Sequence, residues 1–166
     1  PDSSVSIHHF GKNTDGSNTS ESKPFDLFPV GSYPTVSLFV TRRFNMQLSI
    51  ITHPHPTLRV RSKPIRRVNK ELRDIAAQML DLMYEAEGVG LAANQVNLPI
   101  RIFVANPAGE RGDGEELVLL NPELHMPKGN VSGQEGCLSL PGVYGQVKRP
   151  KSIRLTAFDL KGNQVD

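Results

Sequence analysis

A single amphipathic helix followed by several short strands is the feature that most limits how this chain can fold. Asn69 is a good N-cap residue, and Gly88 is expected to end the helix. Between them, apolar side chains recur at helical spacing: Leu72, Ile75, Ala76, Met79, Leu82, Met83 and Ala86. Helices do not alternate regularly with the strands that follow. The pattern therefore predicts an α+β fold, with short antiparallel strands packed around a central helix, and argues against a doubly wound sheet.

The strands are predicted from apolar runs that end at turn residues. One run, Ile100–Ala105, ends at Asn106-Pro107, and a second, Leu117–Leu120, ends at Asn121-Pro122. Two more are predicted at 143–147 and 152–158. In the last strand, the buried face is expected to consist of Ile153, Leu155 and Ala157.

The only cysteine lies in the stretch Glu135-Gly136-Cys137-Leu138-Ser139, which is predicted to form a tight corner between two strands. Pro141-Gly142 is expected to turn the chain directly afterwards. A free cysteine commonly packs as a small hydrophobe. Polar neighbours and an open glycine backbone argue for exposure instead, where a thiolate is a nucleophile or a metal ligand. The stretch alone leaves both roles open.

A second stretch, Gly88-Val89-Gly90-Leu91-Ala92-Ala93-Asn94-Gln95, follows the predicted helix. Glycines at this spacing let a backbone approach a ligand closely. The plain alternative is a glycine-terminated helix followed by a turn of small residues. A dinucleotide fingerprint fits poorly, because the third glycine is missing and the motif follows a helix rather than a strand.

Taken together, the two stretches resemble the peptide deformylase family. That family carries a Gly-apolar-Gly-apolar-Ala-Ala-x-Gln motif and then Glu-Gly-Cys-Leu-Ser, and both are present here in that order. Its third motif, a helical His-Glu-x-x-His, is absent, and the resemblance places it about 40 residues beyond Cys137, past Asp166. The expected organisation is a partial deformylase domain over residues 46–166, inactive by itself.

The resemblance implies an enzyme that removes the formyl group from the N-terminal formylmethionine of nascent polypeptides. It implies a divalent metal, most commonly Fe²⁺ with Ni²⁺, Co²⁺ or Zn²⁺ as replacements, held by Cys137 and the two histidines of the third motif. Gln95 and the Leu138 backbone N–H would donate to the formyl oxygen. The implied substrate-binding residues, which line the channel and pair with the peptide as an added strand, are Val89, Gly90, Leu91 and Gly136.

Two other functional classes stay open at this point. A cysteine-nucleophile hydrolase needs a histidine base, and His125 is the nearest in sequence to Cys137. A non-catalytic formyl-peptide-binding module, or an inactive fragment, would keep the channel without a metal. His53 and His55 lie between prolines and are predicted to be loop residues rather than ligands.

Residues 1–45 are rich in Ser, Asn, Thr, Gly and Pro without a sustained period, which predicts a disordered N-terminal extension. No apolar run approaches the roughly 18 residues that a membrane span needs. One cysteine excludes an intrachain disulfide and fits a cytoplasmic protein, with organellar targeting by the extension as the alternative.

The charge is small overall and uneven along the chain. A net charge of +2 does not indicate nucleic-acid binding by itself. However, six basic residues without an acid fall in one stretch: Arg59, Arg61, Lys63, Arg66, Arg67 and Lys70. Such a run is usually a solvated face, and the alternative is a patch that tolerates ribosomal RNA. The expected partners are formylmethionyl nascent peptides and, transiently, the ribosome, with no membrane and no specific nucleic acid.

Overall fold

The computed structural model describes residues 25–27 and 47–166. In that part of the chain, one α-helix, α1 (Lys70–Glu85), precedes most of the strands. Two short 3₁₀ helices cover Pro56–Arg59 and Ala93–Val96. The strands are β1 (Phe25–Asp26), β2 (Arg67–Val68), β3 (Gly90–Ala92), β4 (Ile102–Ala105), β5 (Leu117–Lys128), β6 (Val131–Cys137), β7 (Leu140–Arg149), β8 (Ser152–Phe158) and β9 (Gln164–Val165). The α+β prediction is confirmed.

The strands form three antiparallel sheets. The largest has the order β3-β4-β5-β8-β9, while β6 and β7 pair as a separate hairpin and β1 pairs with β2. Helix α1 packs against β3 and β4. The fully buried apolar side chains at this contact and beside it are Met79, Met83, Leu91, Leu120, Val68 and Val104. Because burying a side chain of this size contributes about 1.5–3 kcal/mol, this cluster fixes the helix on the sheet.

The helix begins where the sequence predicts and ends one residue earlier than expected. The Asn69 side chain accepts a hydrogen bond from Leu72 N–H at 2.9 Å, as an N-cap does. The residue in the left-handed conformation is Glu87, with φ 53°, rather than Gly88. Gly88 N–H donates to Met83 O at 2.8 Å and Glu87 N–H to Tyr84 O at 3.0 Å, which is a Schellman motif. The prediction that Gly88 stops the helix is therefore wrong by one position.

The predicted end of β5 is also wrong. Strand β5 continues through Asn121-Pro122, where its register with β8 shifts. Proline is tolerated there because a bulge leaves its missing N–H unneeded. Where the pairing with β8 is interrupted, the buried Asn121 side chain forms hydrogen bonds to the backbone of Ile65. Its Oδ1 accepts from Ile65 N–H, and its Nδ2 donates to Ile65 O, each at 2.7 Å.

Strand β8 has the predicted bounds but not the predicted buried face. Ala157 is buried and Leu155 is half-buried, whereas Ile153 is 44% exposed. This half of β8 pairs with the exposed end of β5 and does not lie over the helix, so the expectation for Ile153 is wrong.

Most of the predicted extension 1–45 lies outside the described residues. Phe25–Asp26 are an exception, since they pair with Val68 and Arg67 as a short antiparallel ladder. Leu27 is buried, and its N–H donates to Arg66 O at 2.8 Å. The prediction of no regular structure therefore fails for this short segment. None of the described helices combines the length and the apolar character that crossing a bilayer requires.

Candidate active-site cleft

The glycine stretch and the cysteine stretch face each other across a cleft of about 660 Å³. One wall is formed by residues 86–90 together with Gln95, and the other by residues 136–138 and 140–144. Two motifs separated by some forty positions in the chain are thus brought to one place.

The cysteine wall is the tip of the β6–β7 hairpin. Cys137 is the last residue of β6 and its side chain is exposed. A two-residue turn, Leu138-Ser139, reverses the chain, as the predicted corner requires. Pro141-Gly142 does not make that turn. It lies within β7, in a bulge created where the pairing jumps from Gly136↔Tyr144 to Cys137↔Leu140.

Gly136 lets the ring of Tyr144 lie flat against the hairpin backbone. A Cβ at position 136 would come within 2.9 Å of Tyr144 Cε1, which is closer than nonbonded carbons allow. Tyr144 lines the cleft and is 69% exposed, so most of its ring is available to a ligand. The sequence reasoning missed this residue, because an aromatic in a predicted strand is ordinarily assigned to packing.

An ion pair fastens the two strands of the hairpin below its tip. Arg149 donates to both carboxylate oxygens of Glu135, from Nε at 2.9 Å and from Nη2 at 2.7 Å. These hydrogen bonds from Arg149 hold the pKa of Glu135 below its usual value. This two-point ion pair joins β6 to β7, so Glu135 supports the hairpin structurally.

Gln95 connects the glycine wall to the cysteine wall. Its Oε1 accepts from Ala92 N–H at 3.0 Å, so its Nε2 is the end directed to the opposite wall, 3.4 Å from Ser139 Oγ. The Gln95 carbonyl accepts from Ile51 N–H at 2.7 Å, and the Ser139 carbonyl accepts from His53 N–H at 2.9 Å. The side-chain amide of Gln95 therefore has a fixed orientation, with its Nε2 directed to Ser139 in the hairpin turn that follows Cys137.

Six of the seven residues that the sequence assigns to the site line the cleft: Val89, Gly90, Gln95, Gly136, Cys137 and Leu138. Leu91 does not. Its side chain is 2% exposed in the core, and it pairs with Val104 on β4. Because side chains alternate along a strand, Leu91 is directed into the core when its neighbour lines the cleft. The Leu91 side chain therefore does not line the cleft, and the prediction that Leu91 binds substrate now depends on its backbone.

Strand β3 lies at the edge of the five-stranded sheet, beside the cleft. Asn106 N–H donates to Val89 O at 3.0 Å, so the backbone of Val89 pairs with the β4 side. In an antiparallel ladder successive residues direct their N–H and C=O to opposite sides, which directs those of Gly90 to the open edge. An extended peptide in the cleft would find an unpaired strand edge there.

A buried side chain, Asn106, organises the loop beside Val89. It is 0% exposed, and its Nδ2 donates to Tyr84 Oη at 2.9 Å, Glu110 O at 3.0 Å and Asp113 O at 2.8 Å. Its Oδ1 accepts from Ala108 N–H at 3.0 Å. One amide thus ties together the loop that follows β4 and the helix beneath the cleft.

Two of the described residues that line the cleft, Cys137 and Glu87, have side chains of a kind that can bind a metal. No group of three or more His, Cys, Asp and Glu side chains that could hold a metal ion occurs among residues 25–27 and 47–166. His53 and His55 lie in a turn before the first 3₁₀ helix, as predicted, where His55 Nδ1 accepts from Thr57 N–H. His125 lies on β5 and contacts Thr156 Oγ1 at 3.0 Å rather than the cleft.

Comparison with known proteins gives one family. The family model described as polypeptide deformylase matches residues 47–166. A peptide deformylase of Rhodopirellula baltica is 65% identical over 121 residues, which are 73% of this chain and 60% of that protein. The chloroplastic/mitochondrial peptide deformylase 1B of Arabidopsis thaliana is 41% identical over 74% of this chain and 45% of its own length.

Solved structures agree in fold. A plant peptide deformylase superposes with a TM-score of 0.70 at 40% identity, covering 74% of this chain and 67% of that one. A peptide deformylase from Legionella pneumophila gives 0.67 at 34% identity, covering 72% and 69%. The chain spans roughly half of the length of the two relatives named above.

Proposed function

The chain belongs to the peptide deformylase family, and on that premise we propose that the complete protein hydrolyses the formyl group from the N-terminal formylmethionine of nascent polypeptides. The observation that carries the proposal is the meeting of Gln95 and Cys137 in one cleft beside an open strand edge. A hydrolase of this kind needs a polarised carbonyl, an activated water and a place for an extended peptide, and the cleft supports each of these.

Peptide deformylases are metal-dependent, and Cys137 is the residue here that fits a metal. Its thiol is exposed at the cleft, and thiolate is a good ligand for Fe²⁺, Ni²⁺, Co²⁺ and Zn²⁺. We propose Fe²⁺ as the physiological metal, with further ligands from outside the described residues. When bound, a divalent metal supplies Lewis acidity and lowers the pKa of water.

Gln95 and Leu138 are proposed to bind the formyl oxygen. The side-chain amide of Gln95 is held at both ends, because its oxygen accepts from Ala92 N–H and its Nε2 donates to Ser139 Oγ. An amide nitrogen carries two hydrogens, so Nε2 keeps a second, preorganised hydrogen for the formyl oxygen. Leu138 follows Cys137 directly in the hairpin turn, and its backbone N–H would be the second donor. Donors fixed before the reaction stabilise the negative charge that develops on the oxygen as the carbon becomes tetrahedral.

The peptide is proposed to lie as an added strand between β3 and the hairpin. The Gly90 backbone at the open edge would pair with it, while the Val89 side chain, 60% exposed, and Gly136 border its path. This places the formyl end near Cys137 and Gln95 and directs the rest of the peptide towards Val89. A cysteine-nucleophile hydrolase is disfavoured, because no histidine of the described chain lines the cleft.

The test uses the complete protein, purified anaerobically with Fe²⁺, and paired formyl-Met and acetyl-Met peptides. The expected result is formate and a free amine from the formyl peptide only, lost on chelation and restored by metal. A protein that binds the formyl peptide with equal affinity after chelation, without releasing formate, would be a binding module instead.

We further propose that the protein works in the cytoplasm in transient contact with the ribosome, where formylated chains emerge. The free, exposed thiol of Cys137 fits the reducing surroundings of the cytoplasm. Fractionation of the tagged complete protein tests the location, and recovery in an organelle with its own translation would overturn it.

A further inference from the structure

A strongly basic surface lies away from the cleft, on the segment that precedes α1. Six of the 19 basic side chains fall between Arg59 and Lys70, with none of the 17 acidic ones, which leaves 13 basic against 17 acidic elsewhere. All six are exposed. The charge of the chain is therefore segregated, and a net charge of +2 hides a local excess.

Hydrogen bonds fix the backbone at the centre of this surface. Ser62 Oγ donates to Asn94 Oδ1 at 2.7 Å, so Ser62 is turned inwards, and in an extended segment its neighbours Arg61 and Lys63 are then directed outwards. Lys63 pairs with Ile100, through Lys63 N–H to Pro99 O at 2.8 Å and Arg101 N–H to Lys63 O at 2.9 Å. This pairing places the backbones of Lys63 and Arg101 side by side.

The side chains of Arg61, Lys63 and Arg101 border a groove of about 840 Å³. Arg101 is held by its hydrogen bond to Pro122 O and lies 3.9 Å from Glu123, the one acidic residue at the groove. Three cations against one acid, on two adjacent and paired segments, form a fixed positive groove. A polyanion with closely spaced charges fits three cations along one groove better than a single small anion does. Further exposed basic residues follow on the same segment, of which Lys70 is paired with Asp74.

We propose that the groove of Arg61, Lys63 and Arg101, with the basic segment around it, binds the phosphate backbone of RNA without reading its sequence. The proposal rests on the proposed function, since an enzyme of nascent chains works beside ribosomal RNA. The segment also contacts the 3₁₀ helix that carries Gln95, through Asn94 Nδ2 to Val60 O at 3.1 Å. RNA bound there would hold the cleft within reach of the emerging chain.

The test measures binding of the complete protein to a fluorescein-labelled RNA duplex by anisotropy over a range of KCl concentrations. The variant Arg61→Gln/Lys63→Gln should bind more weakly, with a slope of log K against log[KCl] shallower by about 1.4–1.8, as for two lost phosphate contacts. The matched control Lys148→Gln/Lys151→Gln removes the same charge at exposed positions in β7 and in the turn between β7 and β8, and it should bind as the parent does.

Three outcomes would overturn the RNA assignment. They are an unchanged slope in the groove variant, an equal loss in the control, and equally tight binding of the parent to vesicles containing phosphatidylserine. Deformylation of a short formyl-Met peptide should be the same in both variants and the parent. Normal RNA binding without any formate release would refute the proposed deformylase function but not RNA binding at the groove. Formate release without RNA binding would refute only RNA binding at the groove.

Discussion

Replacing Gly88 by alanine tests whether the cysteine hairpin lies as close to the end of α1 as the structure shows. The added Cβ would lie 2.8 Å from Leu138 Cδ1 and 3.4 Å from Met83 O, so the strain falls on one leucine methyl group. Overpacking costs about 1–3 kcal/mol, and the lower end applies because a side-chain end moves easily. Restricting the unfolded chain offsets about 0.4–1 kcal/mol of this. The free energy of unfolding should therefore fall by no more than about 1 kcal/mol.

The loss in kcat/KM, expressed as a free energy, should exceed the loss in the free energy of unfolding. If part of the strain also shifts the Leu138 backbone by a few tenths of an ångström, its N–H moves away from the proposed position of the formyl oxygen, and kcat/KM should drop about 10-fold. Removing the clashing methyl in Gly88→Ala/Leu138→Ala keeps that N–H and should restore part of the loss.

Denaturant unfolding at constant m and steady-state kinetics with a formyl-Met peptide give both quantities. The control is Gly133→Ala in β6, where an added Cβ meets nothing within 4 Å. Parental stability together with parental kcat/KM in Gly88→Ala would refute the close approach. A loss of more than about 3 kcal/mol would instead refute the assignment of the strain to the Leu138 methyl group and place it in the backbone.

The remaining predictions concern the site and its support. Cys137→Ala in the complete protein should lose its metal on gel filtration at neutral pH, because the only thiolate is removed; stoichiometric metal in the variant would show that Cys137 is not a ligand. Gln95→Leu should lower kcat by roughly 10²–10³ with metal content unchanged, as for one lost oxyanion donor, and a parental kcat would make it a structural amide. Since Arg149 lowers the pKa of Glu135 in the folded state, the pair stabilises the fold above the ordinary value of 4.5 and this is lost as pH falls through the folded pKa. The gap in denaturation midpoint between the parent and Glu135→Gln should thus close on acidification, and a gap independent of pH would contradict this.

Local signals predicted the helix and the cysteine corner well. Asn69 caps α1 as an asparagine before an apolar period should, and the corner between β6 and β7 forms at Leu138-Ser139. The two motifs also locate the cleft walls. Each of these depends on residues within a few positions of one another, which is the range that a sequence pattern reports.

The errors arise where a distant residue decides the local structure. Asn121-Pro122 is a strand end by local rules, but the Asn121 amide bonds the backbone of Ile65, 56 positions away, and β5 runs on. Leu91 has the same apolar character as Val89, and only the pairing of β3 with β4 directs it into the core. The strand Phe25–Asp26 pairs with β2, but a strand of two residues is too short to show a periodic pattern in the sequence.

The buried Asn106 gives the cleft rim a particular kind of motion. One side-chain amide holds the loop at Ala108, Glu110 and Asp113, and the backbone N–H of the same residue holds Val89. Removing the amide from its site would break these hydrogen bonds together, and each buried group left unpaired costs about 1–3 kcal/mol. We therefore expect these points of the rim to open together rather than one at a time, and the Val89 side of the cleft to open with them.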